Sequence, residues 1–259
     1  MMLQLCCIAL CTLTVFQTES LEMIYQPKVF ETEQGDLPYR FLTPEKFGDG
    51  ETYPLVIFLH GAGERGIDNK KQLVHGLKEF VTPANRKNYP CFIIAPQAPE
   101  EKRWVEVEWT LDEHTMPETP SEPLRLTFEL IGKLTKELPI DRSRIYITGL
   151  SMGGYGTWDA LQRKPELFAA AVPVCGGGDE TQAGKLEQIP IWAFHGDKDT
   201  VVKPHRSVNM VEAVNKAGGE AKLTMYEGVG HNSWNQVYAD PAMMKWLFSQ
   251  RKPTPAKPN

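Results

Sequence analysis

Arg144-Ile145-Tyr146-Ile147-Thr148-Gly149-Leu150-Ser151-Met152-Gly153-Gly154 carries the decisive signal in this 259-residue chain. An apolar β-branched run ends at Gly149, and a helical stretch, Gly154–Arg163, begins five residues later. Between them Gly149 to Gly153 has the form G-x-S-x-G. A serine at a sharp strand-to-helix turn needs small residues two positions to either side, because the backbone doubles back against itself there. Such a turn lifts the hydroxyl clear of the sheet. It also aims the first N–H groups of the following helix at the same point, where negative charge is favoured. A plain Gly-rich turn would account for the glycines, but not for the strand before them and the helix after.

Outward from this turn the chain alternates short apolar runs with amphipathic helices. Leu55–Leu59, Cys91–Ala95, Arg144–Thr148, Ala169–Val174, Ile189–Phe194 and Lys222–Tyr226 read as strands covered on both faces, hence parallel. Two further strands, around Lys28–Thr32 and Pro38–Leu42, read as antiparallel. Helices are predicted over Pro123–Leu138, with Leu124, Phe128, Ile131, Leu134 and Leu138 on one face, and over Pro204–Ala217, with Val208, Val211 and Val214. A closing helix, Pro241–Gln250, carries Met243, Trp246 and Leu247. The alternation predicts an α/β fold with a mostly parallel central sheet and helices on both faces. Trp104 to Pro123 interrupts it with three prolines and several acids. This long loop follows a strand's carboxyl end, where open α/β sheets bind ligands.

A serine nucleophile needs a base, and the base needs an orienting acid. With the serine on such a turn the chain order is Ser, then Asp or Glu, then His. Three of the six histidines, His195, His205 and His231, follow Ser151. His205 lies just inside a helix start, where it is expected to be solvated. His195 ends a strand and is expected to pack locally. His231, in Gly228-Val229-Gly230-His231 after the last strand, is placed best for the base. For the acid, Asp199 leads, because the apolar pair Val201-Val202 can anchor its loop. Asp197 is expected to fix the turn with its own side chain, and Asp179 remains a third candidate. The second half of an anion site is expected from His60-Gly61-Ala62-Gly63-Glu64-Arg65-Gly66, directly after a strand. Its donors would be the N–H of Met152 with that of Ala62, or with that of Gly63 as the alternative. The Lys-Ser/Thr ending of a phosphate loop is not present there.

Four motifs in this order, LHGAGERG from Leu59, TGLSMGGYGTW from Thr148, HGDKDTVV from His195 and GVGHNSW from Gly228, resemble the α/β-hydrolases. The likeness is to secreted bacterial members grouped with the phospholipase/carboxylesterases and to the catalytic domain of the prolyl oligopeptidase family. It extends over about Leu37 to Gln250. It implies the α/β-hydrolase fold, a triad of Ser151, Asp199 and His231, oxyanion donors at Ala62 and Met152, no metal and no organic cofactor. No stretch ahead of Leu37 reads as the propeller of the oligopeptidases, so an ester is the expected substrate, with carbohydrate-linked esters among the candidates. A peptidase or amidase on small peptides is the first alternative, and a non-catalytic binding protein on the same scaffold the second. Trp104, Trp109 and Trp234 are candidates to line a pocket or simply to pack the loops. Glu64 and Arg65 are read as an exposed or mutual pair.

Composition narrows the remaining classes. At 41% hydrophobic and 24% charged the chain can build a sizeable core. Its net charge of -5, with Lys and Arg scattered, argues against nucleic acid as a partner. No run in the mature chain approaches the length of a transmembrane helix. Leu3 to Phe16 is apolar and uncharged, so residues 1–20 are expected to be a signal peptide and the protein secreted or periplasmic, although no Lys or Arg precedes the run. Residues 21–250 would form the hydrolase domain, and the Pro-rich residues 251–259 a disordered tail. Of five cysteines, only Cys91 and Cys175 fall outside the leader. One begins a parallel strand and the other ends one, so they would lie roughly 15 Å apart at about 3.3 Å per residue, beyond disulfide reach. Both are expected to be buried free thiols.

Overall fold

The computed structural model describes residues 20–46 and 48–253. The expected signal segment lies, but for residue 20, outside them, as does the tail beyond residue 253. Among the described residues eight strands form one sheet: β1 (Gln26–Thr32), β2 (Gly35–Leu42), β3 (Tyr53–Leu59), β4 (Phe92–Pro96), β5 (Ile140–Leu150), β6 (Ala170–Val174), β7 (Ile191–Gly196) and β8 (Ala221–Tyr226). Their spatial order is β1-β2-β4-β3-β5-β6-β7-β8. The β1–β2 and β2–β4 pairs are antiparallel, and every pair from β4 to β8 is parallel. The antiparallel hairpin turns through Gly35 at φ 133, a backbone conformation that favours glycine.

The helices are α1 (Leu21–Ile24), α2 (Leu77–Phe80), α3 (Pro83–Asn88), α4 (Glu122–Glu137), α5 (Met152–Arg163), α6 (His205–Lys216), α7 (Trp234–Ala239) and α8 (Pro241–Ser249). The strands' alternation sorts their side chains into two cores. Leu55, Ile57, Phe92, Ile94, Ile145 and Ile147 meet α4, α5 and α6 on one face. Val56, Phe58, Ile93, Ala95, Tyr146 and Val172 meet α2, α7 and α8 on the other. A sheet covered on both faces needs apolar residues at successive positions, which is why β3 is buried along its whole length. Local signals set the ends: Ser121 accepts the N–H of Leu124 at the start of α4, and Asp240 that of Ala242 at the start of α8.

Three details differ from expectation. On α6 the buried stripe runs through Ser207, Met210, Val211 and Val214, and Val208 is only half-buried. On α4 Leu126 and Leu130 join the buried face, whereas Phe128 and Leu138 stay partly exposed. The first residues of the expected tail are tied down: Lys252 donates from its backbone to Ser143 and from Nζ to the carbonyls of Glu166 and Leu167. Cys91 and Cys175 are both buried and free. No helix is long and apolar enough to cross a membrane among the described residues.

Candidate active site

Ser151 stands between the end of β5 and the start of α5 with φ 54 and ψ -117. A non-glycine residue there is strained, and such strain persists only where the surroundings over-determine it. The surroundings here are glycines. A Cβ on Gly153 would sit 1.9 Å from the carbonyl oxygen of Leu59, and one on Gly149 2.4 Å from that of Gly153. The Ser151 N–H is held by the Val174 carbonyl at 2.9 Å, and its carbonyl accepts from Tyr155 at 3.1 Å. The turn is thus clamped between β3 and β6, with the hydroxyl at the carboxyl edge of the sheet.

His231 comes to it from the loop after β8. Its Nε2 lies 2.9 Å from Ser151 Oγ and its Nδ1 2.7 Å from Asp199 Oδ2. The loop is stitched to the end of β7: Lys198 donates to the carbonyl of Val229, and Asp197 Oδ1 accepts the N–H of Gly228 at 2.7 Å. Asp197 therefore holds the histidine's loop across the gap rather than only its own turn. Gly196 permits the approach, since a Cβ there would meet the Val229 carbonyl at 2.3 Å.

Asp199 is almost wholly buried and has every lone pair engaged. Oδ1 accepts the N–H groups of Val201 and Val202 at 2.8 and 3.0 Å. Oδ2 accepts from His231 and from His195 Nε2, the latter at 3.1 Å. Burial alone would push the carboxyl up. The donors from His195, His231, Val201 and Val202 outweigh it and hold Asp199 well below the usual carboxylate range, hence ionised. His195 does pack locally, but against the acid itself. The sequence signal was available: a histidine four residues before the acid, at a strand's end. Asp179, the third candidate, is spent elsewhere, accepting from Met116, from both donors of Thr181, and losing its own carbonyl to Gln162.

The loop after β3 faces Ser151 from the other side. Neither the N–H of Ala62 nor that of Met152 donates to a protein acceptor among the described residues, and each opens a helical turn. His60 sets the loop's path. Its Nε2 accepts the Ala98 N–H at 3.0 Å, so Nδ1 carries the proton and donates to the Gly61 carbonyl at 2.6 Å. Burial lowers the His60 pKa to about 4, which keeps this ring neutral. Trp104 Nε1 donates to the carbonyl of His60 at 2.9 Å, and Gln97 Nε2 to that of Glu64. Trp104 is wholly buried, so it supports the loop and lines no pocket. Trp234 does stand at the site, edge-on to His231 with ring centroids 5.2 Å apart and tilted toward His75 at 5.4 Å. Glu64 and Arg65 do not pair with each other: Glu64 faces His75 at 3.6 Å, and Arg65 donates to the carbonyl of Ala62.

Among the described residues one group of three possible metal ligands lies together, Cys175, Asp199 and His231, with ligand atoms within 4.8 Å of one another. Two of its members are already bound to each other, and burial pushes the Cys175 thiol up, away from the thiolate a metal needs. A cavity of about 510 Å³ opens between Leu111–Thr115 of the long loop and Asp179–Thr181. His114, in its wall, packs against Tyr155, one helical turn from Ser151, with ring centroids 5.7 Å apart.

Comparison with known proteins bears on the fold and the family. A crystal structure of a thermostable esterase superposes with a TM-score of 0.83 at 39% identity, covering 89% of this chain and 64% of that one. A bifunctional acetylxylan esterase/xylanase of Neocallimastix patriciarum is 36% identical over 75 residues, 29% of this chain and 11% of that protein. This chain therefore spans less than two thirds of the length of either. An acylaminoacyl peptidase of Pyrococcus horikoshii, 18% identical over 90% of this chain and 43% of its own, shares the fold with a TM-score of 0.63. The family model for phospholipases and carboxylesterases matches residues 47–242, and the chain belongs to that family of α/β-hydrolases.

Proposed function

We propose that the protein is a serine carboxylesterase that cleaves esters through an acyl-enzyme. The observation that carries this is the continuous relay from Ser151 Oγ through His231 to an ionised Asp199, at 2.9 and 2.7 Å, with the serine on a strained turn. In this reading Ser151 Oγ attacks the ester carbonyl while its proton passes to His231 Nε2. Asp199 keeps the Nδ1–H tautomer and stabilises the imidazolium. The carbonyl oxygen, now an anion, meets the N–H groups of Ala62 and Met152, each worth about 3–4 kcal/mol in the transition state. Collapse expels the alcohol, which takes the proton from His231. Water then repeats the attack with His231 as base and releases the acid and free Ser151.

The likeness to an acetylxylan esterase and to a thermostable esterase supports an ester, with carbohydrate-linked esters as the first class to assay. A Ser151→Ala variant should lose both p-nitrophenyl acetate hydrolysis and fluorophosphonate labelling. Labelling that persists in this variant removes the nucleophile, and no labelling of the parent protein favours a binding protein on the same scaffold. A matched aminoacyl anilide decides the bond: faster turnover of the anilide than of the ester makes the protein a peptidase. We also propose that residues 1–20 direct export. The apolar run from Leu3 to Phe16 supports it, and the amino terminus of the protein recovered outside the cell tests it.

A further inference from the structure

His195 is fully buried at the end of β7, and its ring is bonded at both nitrogens. Nε2 faces two atoms that only accept, Asp199 Oδ2 at 3.1 Å and the carbonyl of Val202 at 3.0 Å, so Nε2 carries a proton and donates to both. Nδ1 lies 2.8 Å from Ser207 Oγ on α6, and that hydroxyl is 3.0 Å from the carbonyl of Gly176. The ring is therefore fixed from β7, from the loop after it and from α6 together. One carboxylate oxygen, Asp199 Oδ2, receives two imidazole N–H groups, from His195 on the buried side and from His231 on the side of Ser151.

We propose that His195 is a positioning residue for acyl transfer, acting through Asp199 on the tautomer and orientation of His231. The proposal rests on the reading of Ser151, Asp199 and His231 given above. The torsion that turns an Asp carboxylate is soft. The amides of Val201 and Val202 both bind Oδ1, so they anchor one end and leave the group free to swing about it. The His195 N–H supplies the second fixed point, on Oδ2. Without it Oδ2 drifts from the line to His231 Nδ1, the ring loses its preferred tautomer, and Nε2 no longer faces Ser151 as an acceptor in every turnover. Orientation of this kind bears on the chemical step and not on ground-state binding.

The test compares two substitutions that both fill the site. In His195→Gln the amide nitrogen stands near the position of Nε2 and can donate to Asp199, whereas His195→Leu packs without donating. The expected result is a fall in kcat of about 10- to 100-fold for His195→Leu with KM unchanged, and substantial recovery in His195→Gln. The downfield proton resonance of His231 Nδ1–H should broaden or vanish in the Leu variant and return in the Gln variant. Equal kcat in the two variants, or wild-type kcat in His195→Leu, overturns the proposal. Should neither variant fold, Ser207→Ala keeps the donor but frees the ring, and a smaller fall in kcat is expected. An unchanged kcat in Ser207→Ala then counts against the role. Ser151→Ala is assayed alongside. If it stays active, the acyl-transfer reading itself fails. If it is dead while His195→Leu turns over like the parent, only the role of His195 falls.

Discussion

Gly153 and Leu59 approach so closely that a single added methyl on the glycine would lie 1.9 Å from the leucine's carbonyl oxygen. The contact joins the first turn of α5 to the end of β3, and it fixes both halves of the proposed anion site relative to each other. Gly153→Ala must push these backbones apart, at a cost of about 3 kcal/mol or more, and it should lower activity beyond the loss of folded protein. Gly132, inside α4, has open space around the same position. Gly132→Ala should therefore stabilise by about 0.5–1 kcal/mol, since alanine loses less entropy in a helix. Urea midpoints of the two variants check the pair. If Gly153→Ala keeps the parent's midpoint, close packing at Gly153 is not what the motif requires.

Two acids compete for the orienting role, and substitution separates them. Asp199→Asn presents an amide where the carboxylate accepted from His231, which favours the wrong tautomer, and kcat should fall by about 10⁴-fold. Asp179 binds Met116 and Thr181 instead. Asp179→Asn should act through the long loop, with a far smaller effect on kcat. The comparison is read in steady-state kinetics on one ester, and a larger loss at Asp179 would reverse the assignment.

His60 makes stability depend on pH with a sign that follows from its burial. Its folded pKa is about 4, against an ordinary value of 6.5. Between these values the unfolded chain holds a proton that the folded one refuses, so stability is complete above this window and falls as pH drops through it. Over the full window the loss is about 3 kcal/mol. His114, also lowered to about 4 by burial and then by Arg206, adds to the slope in the same direction. Asp199 does not, because its depressed carboxyl gives up stability only at more acid pH. Denaturation midpoints between pH 4 and 6.5 should show the slope, and His60→Gln should flatten it. A slope unchanged in that variant assigns it elsewhere.

The parallel strands and the turn at Ser151 were legible because each rests on short-range constraints. Buried strands show as unbroken apolar runs such as Leu55–Leu59, and the nucleophile's turn shows as glycines that nothing larger could replace. His231 could be reached by elimination among three histidines. What stayed hidden depends on contacts between distant segments. The support of the His60 loop by Gln97, Ala98 and Trp104 joins residues 33 to 44 positions apart, with no periodic pattern to announce it. The shift of the α6 stripe to Ser207 has the same origin: that hydroxyl is buried because it bonds His195 and Gly176, and hydrophobicity alone favoured Val208.

The long loop has neither helix nor strand from Gln97 to Ser121, yet it is anchored along its length. Tyr155 Oη donates to the carbonyl of Trp109, Arg206 to that of Asp112 and to His114 Nδ1, and Arg163 to those of Pro117 and Glu118. Arg163 is itself paired with buried Asp159 at 2.6 Å. Arg163→Met should therefore do two separable things. It strands a buried carboxylate, a loss of about 3–5 kcal/mol, and it frees the loop's second half. Adding Asp159→Leu removes the stranded charge and should restore most of the stability, because a buried pair replaced by apolar groups is often neutral. It cannot restore the anchors at Pro117 and Glu118. The loop contains Glu113 and Glu118 but no Lys or Arg between Trp104 and Ser121, so a glutamyl endopeptidase reports on it where trypsin would not. The double variant should match the parent in thermal unfolding and still be cut after Glu113 or Glu118. Protection equal to the parent's would mean that Arg206, Asp179 and Tyr155 hold the loop without Arg163.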